Sequence, residues 1–413
     1  MSIDGLRRVR DNEKGWTCRK GGLFTLRNKE MLLIPGPTPV ADEIYDALAS
    51  ETWAHTDPRF VKIFERGIAL TKEMFHTDGE VYIFAGSGTL AMEMAVVNTV
   101  APGEKLLVVS HGYFGDRFTQ LGRAYGIQVE TVQAEWGRHV DPDAVRHALA
   151  QGGFKAVTVT HVDTSTGVAA NLDALVPVVK EAGALFILDG VCATAALEED
   201  MQKTYGAPGY TIDVVLTGSQ KAIGVPPGLG IVAFGPRALK ARAEMARVPA
   251  YFLDIDNWRP VMENPGRYFA TPPVNMIYAY RQGMEMVMAE GLPARYRRHE
   301  ALGRAVRAGL AVYGMRALAG EDVAAPTLSC ILYPDGVDDA AFRAKLASKG
   351  VVVAGALAHL AGKAFRIGHM GNVTGAMFAE AIRRIGETLQ ELGHPVDVSS
   401  AVARFEAVYG EGR

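Results

Sequence analysis

From residue 81 to about residue 235, short apolar runs alternate with segments whose apolar positions recur at helical spacing. Residues 81–85, 105–110, 128–132, 155–161, 184–189, 214–217 and 230–234 read as strands. Most of these runs are continuously apolar, the pattern of strands covered on both faces. Residues 90–100, 117–125, 142–150 and 173–182 read as helices between them. Such alternation predicts an α/β fold built on a mainly parallel, doubly wound sheet.

The pattern then changes. Residues 251–273 are rich in proline and aromatics and read as irregular, and two consecutive helices follow at 277–290 and 294–312. A strand at 327–332, a helix at 338–348, strands at 351–353 and 364–367 and a helix at 375–392 predict a smaller α+β unit. The expected organisation is an N-terminal arm (1–39), a large domain (40–285) and a small C-terminal domain (286–413).

The chain has 413 residues, with 43 Lys+Arg against 46 Asp+Glu and a formal net charge of -3. That balance leaves no basic stripe for nucleic acid. No apolar run approaches the ~20 residues of a membrane span. Residues 1–20 are polar and mixed in charge, so no secretory signal is expected. Cys18, Cys192 and Cys330 lie far apart and form neither a disulfide framework nor a C-x-x-C pair. The expectation is a reducing, cytoplasmic compartment.

Six local features carry chemistry. Ala85-Gly86-Ser87-Gly88-Thr89 follows a strand and opens a helix, where free N–H groups and hydroxyls can seat a phosphate; a plain capped turn fits equally. His111-Gly112-Tyr113-Phe114-Gly115 ends the next strand, and its aromatics can stack on a planar ligand or pack a strand–helix corner. Asp163-Thr164-Ser165-Thr166-Gly167 reads as a polar hairpin at a strand end. Asp189 closes an apolar strand, where a carboxylate is costly unless paired or functional; a helix cap or a metal ligand are the alternatives. Glu198-Glu199-Asp200 beside it reads as a solvated loop. Lys221 in Ser219-Gln220-Lys221 stands in an otherwise uncharged stretch, either as a snorkelling surface lysine or as an amine able to form a Schiff base. Arg366 interrupts an apolar strand as an edge charge or as a fork for a carboxylate.

A phosphate seat, a stacking aromatic, an aspartate and a lysine, each at the carboxyl end of a strand, match pyridoxal 5'-phosphate chemistry. With Ile34-Pro35-Gly36-Pro37-Thr38, Ser165-Thr166-Gly167, Gly218-Ser219-Gln220-Lys221-Ala222, Pro226-Pro227-Gly228 and Arg366-Ile367-Gly368, the chain resembles the class V, fold-type I aminotransferases. The likeness is to the alanine/serine–glyoxylate branch and runs from about Leu33 to Leu392. It implies a homodimeric transaminase moving an amino group from a small amino acid to a small 2-oxo acid such as glyoxylate or pyruvate. It further implies that Lys221 carries the cofactor as a Schiff base and that Asp189 pairs with the ring nitrogen. Phe114 and Val191 are then expected on the two ring faces, Thr164 at the phenolic oxygen, and Ser87, Gly88, Thr89 and Gln220 at the phosphate. Tyr268 and Thr271 match an element that reaches the neighbouring subunit's phosphate, and Arg366 matches the arginine that holds the substrate's α-carboxylate.

Three departures stand out. Asp163 occupies a place where glutamate is expected, residues 198–210 read as a surface insertion, and residues 1–30 have no counterpart. Rival readings are another class V reaction, such as a phosphonate or pyridoxamine transaminase or a lyase, a non-catalytic relative, and a nucleotide site at Gly86-Ser87-Gly88. A desulfurase needs a mobile cysteine in the small domain, and Cys330 falls inside an apolar strand. An intact Asp189/Lys221 pair argues against a non-catalytic relative.

Overall fold

The computed structural model describes Leu26 and residues 30–412. Expectations that concern residues 1–25, Cys18 included, lie outside the described residues. Seven strands form the central sheet: β1 (Glu80–Ala85), β2 (Lys105–Ser110), β3 (Gln128–Gln133), β4 (Phe154–Thr160), β5 (Leu185–Asp189), β6 (Val214–Gly218) and β7 (Leu229–Phe234). Their spatial order is β1-β7-β6-β5-β4-β2-β3. β7 runs antiparallel to both β1 and β6, and the other pairings are parallel. The double reversal around β7 points β1 the same way as β6. The carboxyl ends of β1, β2, β4, β5 and β6 therefore open on one side of the sheet.

Successive strand residues feed opposite cores, as the pleat requires. Ile83, Val109, Val157, Leu188 and Val215 enter one core, while Phe84, Val108, Ala156, Ile187 and Leu216 enter the other. Both cores exclude water, which is why these runs are continuously apolar. β3 is the edge strand, and its sequence QVETVQ leaves four of its six residues exposed and none fully buried.

A second sheet of four strands, all antiparallel, contains β8 (Arg316–Ala317), β9 (Leu328–Leu332), β10 (Ala354–Gly355) and β11 (Ala364–Gly368) in the order β8-β9-β11-β10. Helices Val274–Glu290 and Leu292–Ala311 precede it, separated by Gly291 at φ 81°, a conformation glycine adopts without a Cβ penalty. Residue 285, where the sequence pattern changes, lies inside the first of these helices. Residues 351–352 do not join the second sheet. Val351 and Val352 pair in parallel with Met31 and Leu32 instead, and Gly368 N–H donates to Leu33 O at 2.8 Å. The described part of the arm is thus stitched to the C-terminal elements.

Three further departures from the sequence expectation have physical causes. The helix expected from residue 117 begins at Tyr113, because Asp163 caps it from another strand: Oδ2 accepts the N–H groups of Phe114 at 2.9 Å and Gly115 at 3.1 Å. The segment read as irregular contains helix Ile255–Glu263, capped by Asp254 and held by buried Trp258 and Val261, so tertiary burial overrides the proline at 260. The segment read as a surface insertion buries Glu199, Met201 and Tyr205. Glu199 accepts from the Thr194 hydroxyl at 2.5 Å and lies 2.7 Å from His161 Nδ1, so it is no solvated loop residue.

Candidate active site

The chain leaves β6 through Ser219 and Gln220 to reach Lys221, and the turn is fixed at several points. Ser219 Oγ donates to Pro226 O at 2.7 Å, and Lys221 O accepts both the Gly224 N–H at 2.9 Å and the Thr38 hydroxyl at 2.8 Å. Lys221 Nζ donates to Pro35 O at 2.5 Å. Gly36 packs beside this side chain at φ 96°, and a Cβ there would collide with the lysine stem. The 35–38 segment is therefore shaped around the amine.

Asp189 ends β5, the parallel neighbour of β6, and is 3% exposed. Its Oδ1 accepts the Val191 N–H at 3.0 Å. Burial pushes the carboxyl up to about 7; the Val191 N–H and the Lys221 charge pull it back, while Asp163 and Glu199 push it further up. Among the described residues no ion pair is formed by this carboxylate, and a cationic ligand would stabilise its ionised form.

Helix Gly88–Val97 opens beside these two residues. Ser87 at its N-cap makes no side-chain capping bond, so the first N–H groups face the cavity uncapped. A Cβ on Gly88 would sit 2.7 Å from Val191 Cγ2, so only glycine lets Val191 and the helix start approach this closely. Gln220 Oε1 and Thr160 Oγ1 are buried without hydrogen-bond partners, as expected of groups that await a ligand.

Ser87, Gly88, Thr89, Phe114, Thr164, Asp189, Val191, Gln220 and Lys221 line one cavity of about 180 Å³. Arg366 lies outside this lining. Its Nε donates to Gly355 O at 2.9 Å, and Nη1 reaches the Thr164 hydroxyl at 3.5 Å. Tyr268 and Thr271 are not brought to the cavity: Tyr268 is 63% exposed, and its hydroxyl lies 3.4 Å from that of Thr271. A larger cleft of about 530 Å³, lined by His161, Tyr205, Tyr296 and Arg304 among others, shares no residue with the first. The smaller cavity is the candidate site because lysine, carboxylate and uncapped helix start converge there.

Cys330 is buried in β9, and burial pushes its thiol up to about 12, so it is not a poised nucleophile. Among the described residues, no cluster of His, Cys, Asp or Glu could hold a metal ion, and no helix is long and apolar enough to cross a membrane.

The sequence profile described as Aminotransferase class-V matches residues 42–363. The protein belongs to the class V aminotransferase family. An uncharacterised aminotransferase of Methanocaldococcus jannaschii is 34% identical over 385 residues, 93% of this chain and 98% of that protein. Alanine–glyoxylate aminotransferase 1 of Saccharomyces cerevisiae is 34% identical over 367 residues, 84% of this chain and 93% of that protein. The crystal structure of ureidoglycine–glyoxylate aminotransferase from Bacillus subtilis superposes with a TM-score of 0.85 at 25% identity, covering 92% of this chain and 98% of that one. This aminotransferase therefore has the fold-type I architecture that its sequence resembles, and its reaction class is amino-group transfer.

Several residues of the candidate site are not legible in the sequence pattern. Met92, Arg117, Thr160, Val162 and Cys192 also line the cavity. Farther out, one turn of helix Leu292–Ala311 ties three loops together. Arg295 donates to Ala195 O at 2.9 Å and Ala222 O at 2.5 Å, and Arg298 donates to Gly371 O at 3.3 Å and Val373 O at 3.2 Å. Glu290 pairs with both arginines, at 2.5 and 2.6 Å. The chain segments that follow Asp189, Lys221 and Arg366 are thus anchored to one buried ionic cluster, which in a sequence reads as an ordinary charged helix face.

Proposed function

We propose that this aminotransferase uses pyridoxal 5'-phosphate and moves the amino group of a small amino acid to glyoxylate or pyruvate. The observation that carries this reading is the placement of Lys221 and Asp189 at the ends of adjacent parallel strands, facing one cavity with an uncapped helix start. Glyoxylate as acceptor is supported by the yeast and B. subtilis relatives. Bound there, pyridoxal phosphate supplies an aldehyde for amines and a ring that accepts electrons. Lys221 is the residue that would hold the aldehyde covalently. Its amine would serve as general base and acid for the substrate's α-proton. Asp189 would hold the proton on the ring nitrogen. Phe114 and Val191 would enclose the ring, Thr164 would donate to the phenolic oxygen, and Ser87, Gly88, Thr89 and Gln220 would hold the phosphate. Mixing the cofactor-free protein with pyridoxal phosphate should give an absorbance band at the visible edge. A donor and acceptor panel read by 2-oxo acid release should then show turnover with glyoxylate or pyruvate. No band and no turnover with any pair would sink the reading.

Arg366 binds the α-carboxylate through two charge-assisted hydrogen bonds. Arg366→Lys keeps the charge but loses the planar fork. KM for both amino acid and 2-oxo acid should rise roughly ten- to hundredfold, with the cofactor band unchanged. Unchanged KM values would remove Arg366 from the substrate site.

The protein works in the cytoplasm as a homodimer with shared sites. Tyr251 is 79% exposed and packed against Phe269, and Tyr268 is 63% exposed beside Thr271 and His55, an exposed aromatic face suited to a second copy. Tyr268 and Thr271 on that face complete the neighbour's phosphate contacts. Subunits carrying Lys221→Ala, mixed with subunits carrying Tyr268→Phe and Thr271→Ala, should regain part of the activity, since one site per mixed dimer is then intact. Verified mixed dimers without recovery, or a fully active monomer, would contradict shared sites.

A further inference from the structure

The cavity lining includes one cation besides Lys221, and that is Arg117. It sits on helix Tyr113–Ala124 one turn after Phe114, on the same face. Its Nη1 donates to Thr89 Oγ1 at 3.0 Å, and its guanidinium carbon lies 4.8 Å from the centre of the Phe114 ring and 5.5 Å from that of Tyr113. Thr89 is its hydrogen-bond partner among the described residues, and no carboxylate there forms an ion pair with it.

Two consequences follow from elementary chemistry. A guanidinium only donates, so the Thr89 hydroxyl must accept from it, and the hydroxyl's own proton is left to donate elsewhere. Thr89 lies in the first turn of helix Gly88–Val97, where the macrodipole is positive and Ser87 supplies no side-chain cap. A cation held at the positive end of a helix is electrostatically costly, and an anion seated between them removes that cost.

We propose that Arg117 is a positioning residue for the cofactor's phosphate: it fixes the Thr89 hydroxyl as a donor, supplies the charge that balances a phosphate monoester, and braces the Phe114 ring. This rests on the pyridoxal phosphate reading above. Arg117 is invisible as such in the sequence, because its hydrogen-bond partner Thr89 lies 28 positions away on another helix.

The test titrates the cofactor-free protein with pyridoxal 5'-phosphate and, separately, with pyridoxal, which lacks the phosphate. Binding is read by the visible-edge absorbance band, and thermal midpoints of the cofactor-free variants monitor folding. Arg117→Gln should raise the Kd for pyridoxal phosphate about ten- to hundredfold, with a change of less than about threefold for pyridoxal. Arg117→Lys, which keeps the charge without the fork, should fall between wild type and Arg117→Gln. In a Thr89→Val background the effect of Arg117→Gln should shrink, because the two side chains act as a unit. An unchanged Kd for pyridoxal phosphate in both Arg117 variants, equal losses for the two ligands, or strictly additive effects with Thr89→Val would overturn the proposal. Failure of the wild-type protein to give the band at all would overturn the cofactor reading, and this proposal with it.

Discussion

Lys221→Ala is expected to abolish transamination while leaving a folded protein. The amine is lost twice over in this variant. On the proposed reading it can no longer hold the cofactor's aldehyde, and it can no longer serve as the acid and base for the substrate's α-proton. General acid–base catalysis alone contributes about 10²–10⁴-fold in rate, and loss of the covalent attachment adds to that. The fold should survive, because the Lys221 side chain donates a single hydrogen bond, to Pro35 O, while the turn is held by backbone contacts to Thr38 and Gly224 that alanine retains. Pyridoxal phosphate should still bind through the phosphate seat, but the visible-edge band of the lysine-bound form should be missing. The measurements are turnover, the absorbance spectrum and the thermal midpoint. Transamination near the wild-type rate would end the assignment of Lys221.

Asp189→Asn should slow the half-reaction by about 10²–10³-fold, the usual cost of removing one preorganised electrostatic group from a reacting centre. Asparagine matches the shape of aspartate and can still accept the Val191 N–H, so packing is preserved. What it loses is the charge that, on the proposed reading, would hold a proton on the ring nitrogen. The same variant carries a stability signature in the cofactor-free protein. The folded-state pKa of Asp189 is pushed up to about 7 from 3.8 by burial, so the folded chain takes up a proton that the unfolded chain has released between these values. Asp189 therefore costs no stability below about pH 4, increasingly destabilises the fold as pH rises toward 7, and costs most above it. Asp189→Asn removes that cost. The cofactor-free variant should be the more stable of the two at pH 8, by on the order of a few kcal/mol, and the difference should close by pH 4. Chemical denaturation at the two pH values measures this, and single-turnover amino-acid deamination measures the rate. An unchanged half-reaction rate would leave the carboxylate with a structural role only.

The two predictions depend on residues that a linear reading reaches readily. Lys221 and Asp189 are charges at the ends of apolar strands, and burying a charge is so costly that such positions stand out without coordinates. Gly86-Ser87-Gly88-Thr89 is legible for a related reason, since a strand, two glycines and a helix start in immediate succession form a local unit. Arg117 lacks any such local signature. It opens what reads as an ordinary helix, and only the approach of helix Gly88–Val97 gives it a hydrogen-bond partner. Asp163 is similar: its carboxylate caps a helix 48 positions away at Gly115, which moved the helix start to Tyr113.

By itself, then, the sequence determined the alternation of strands and helices, the two-faced burial of the sheet and the residues at its strand ends. Each depends on the apolar or charged character of neighbouring positions, and that character is local. The tertiary structure alone decided the reversal of β7, the pairing of Met31–Leu32 with Val351–Val352, the burial of Glu199 against His161 and Thr194, and the ionic cluster of Glu290, Arg295 and Arg298. It also left Tyr268 and Thr271 on an exposed face, away from the cavity that holds Lys221. These features are contacts between segments distant in the chain, and their energies depend on distances that no pattern of polar and apolar residues encodes. A polar residue reads the same in sequence whether water or a buried partner satisfies it, and only the packed chain distinguishes the two.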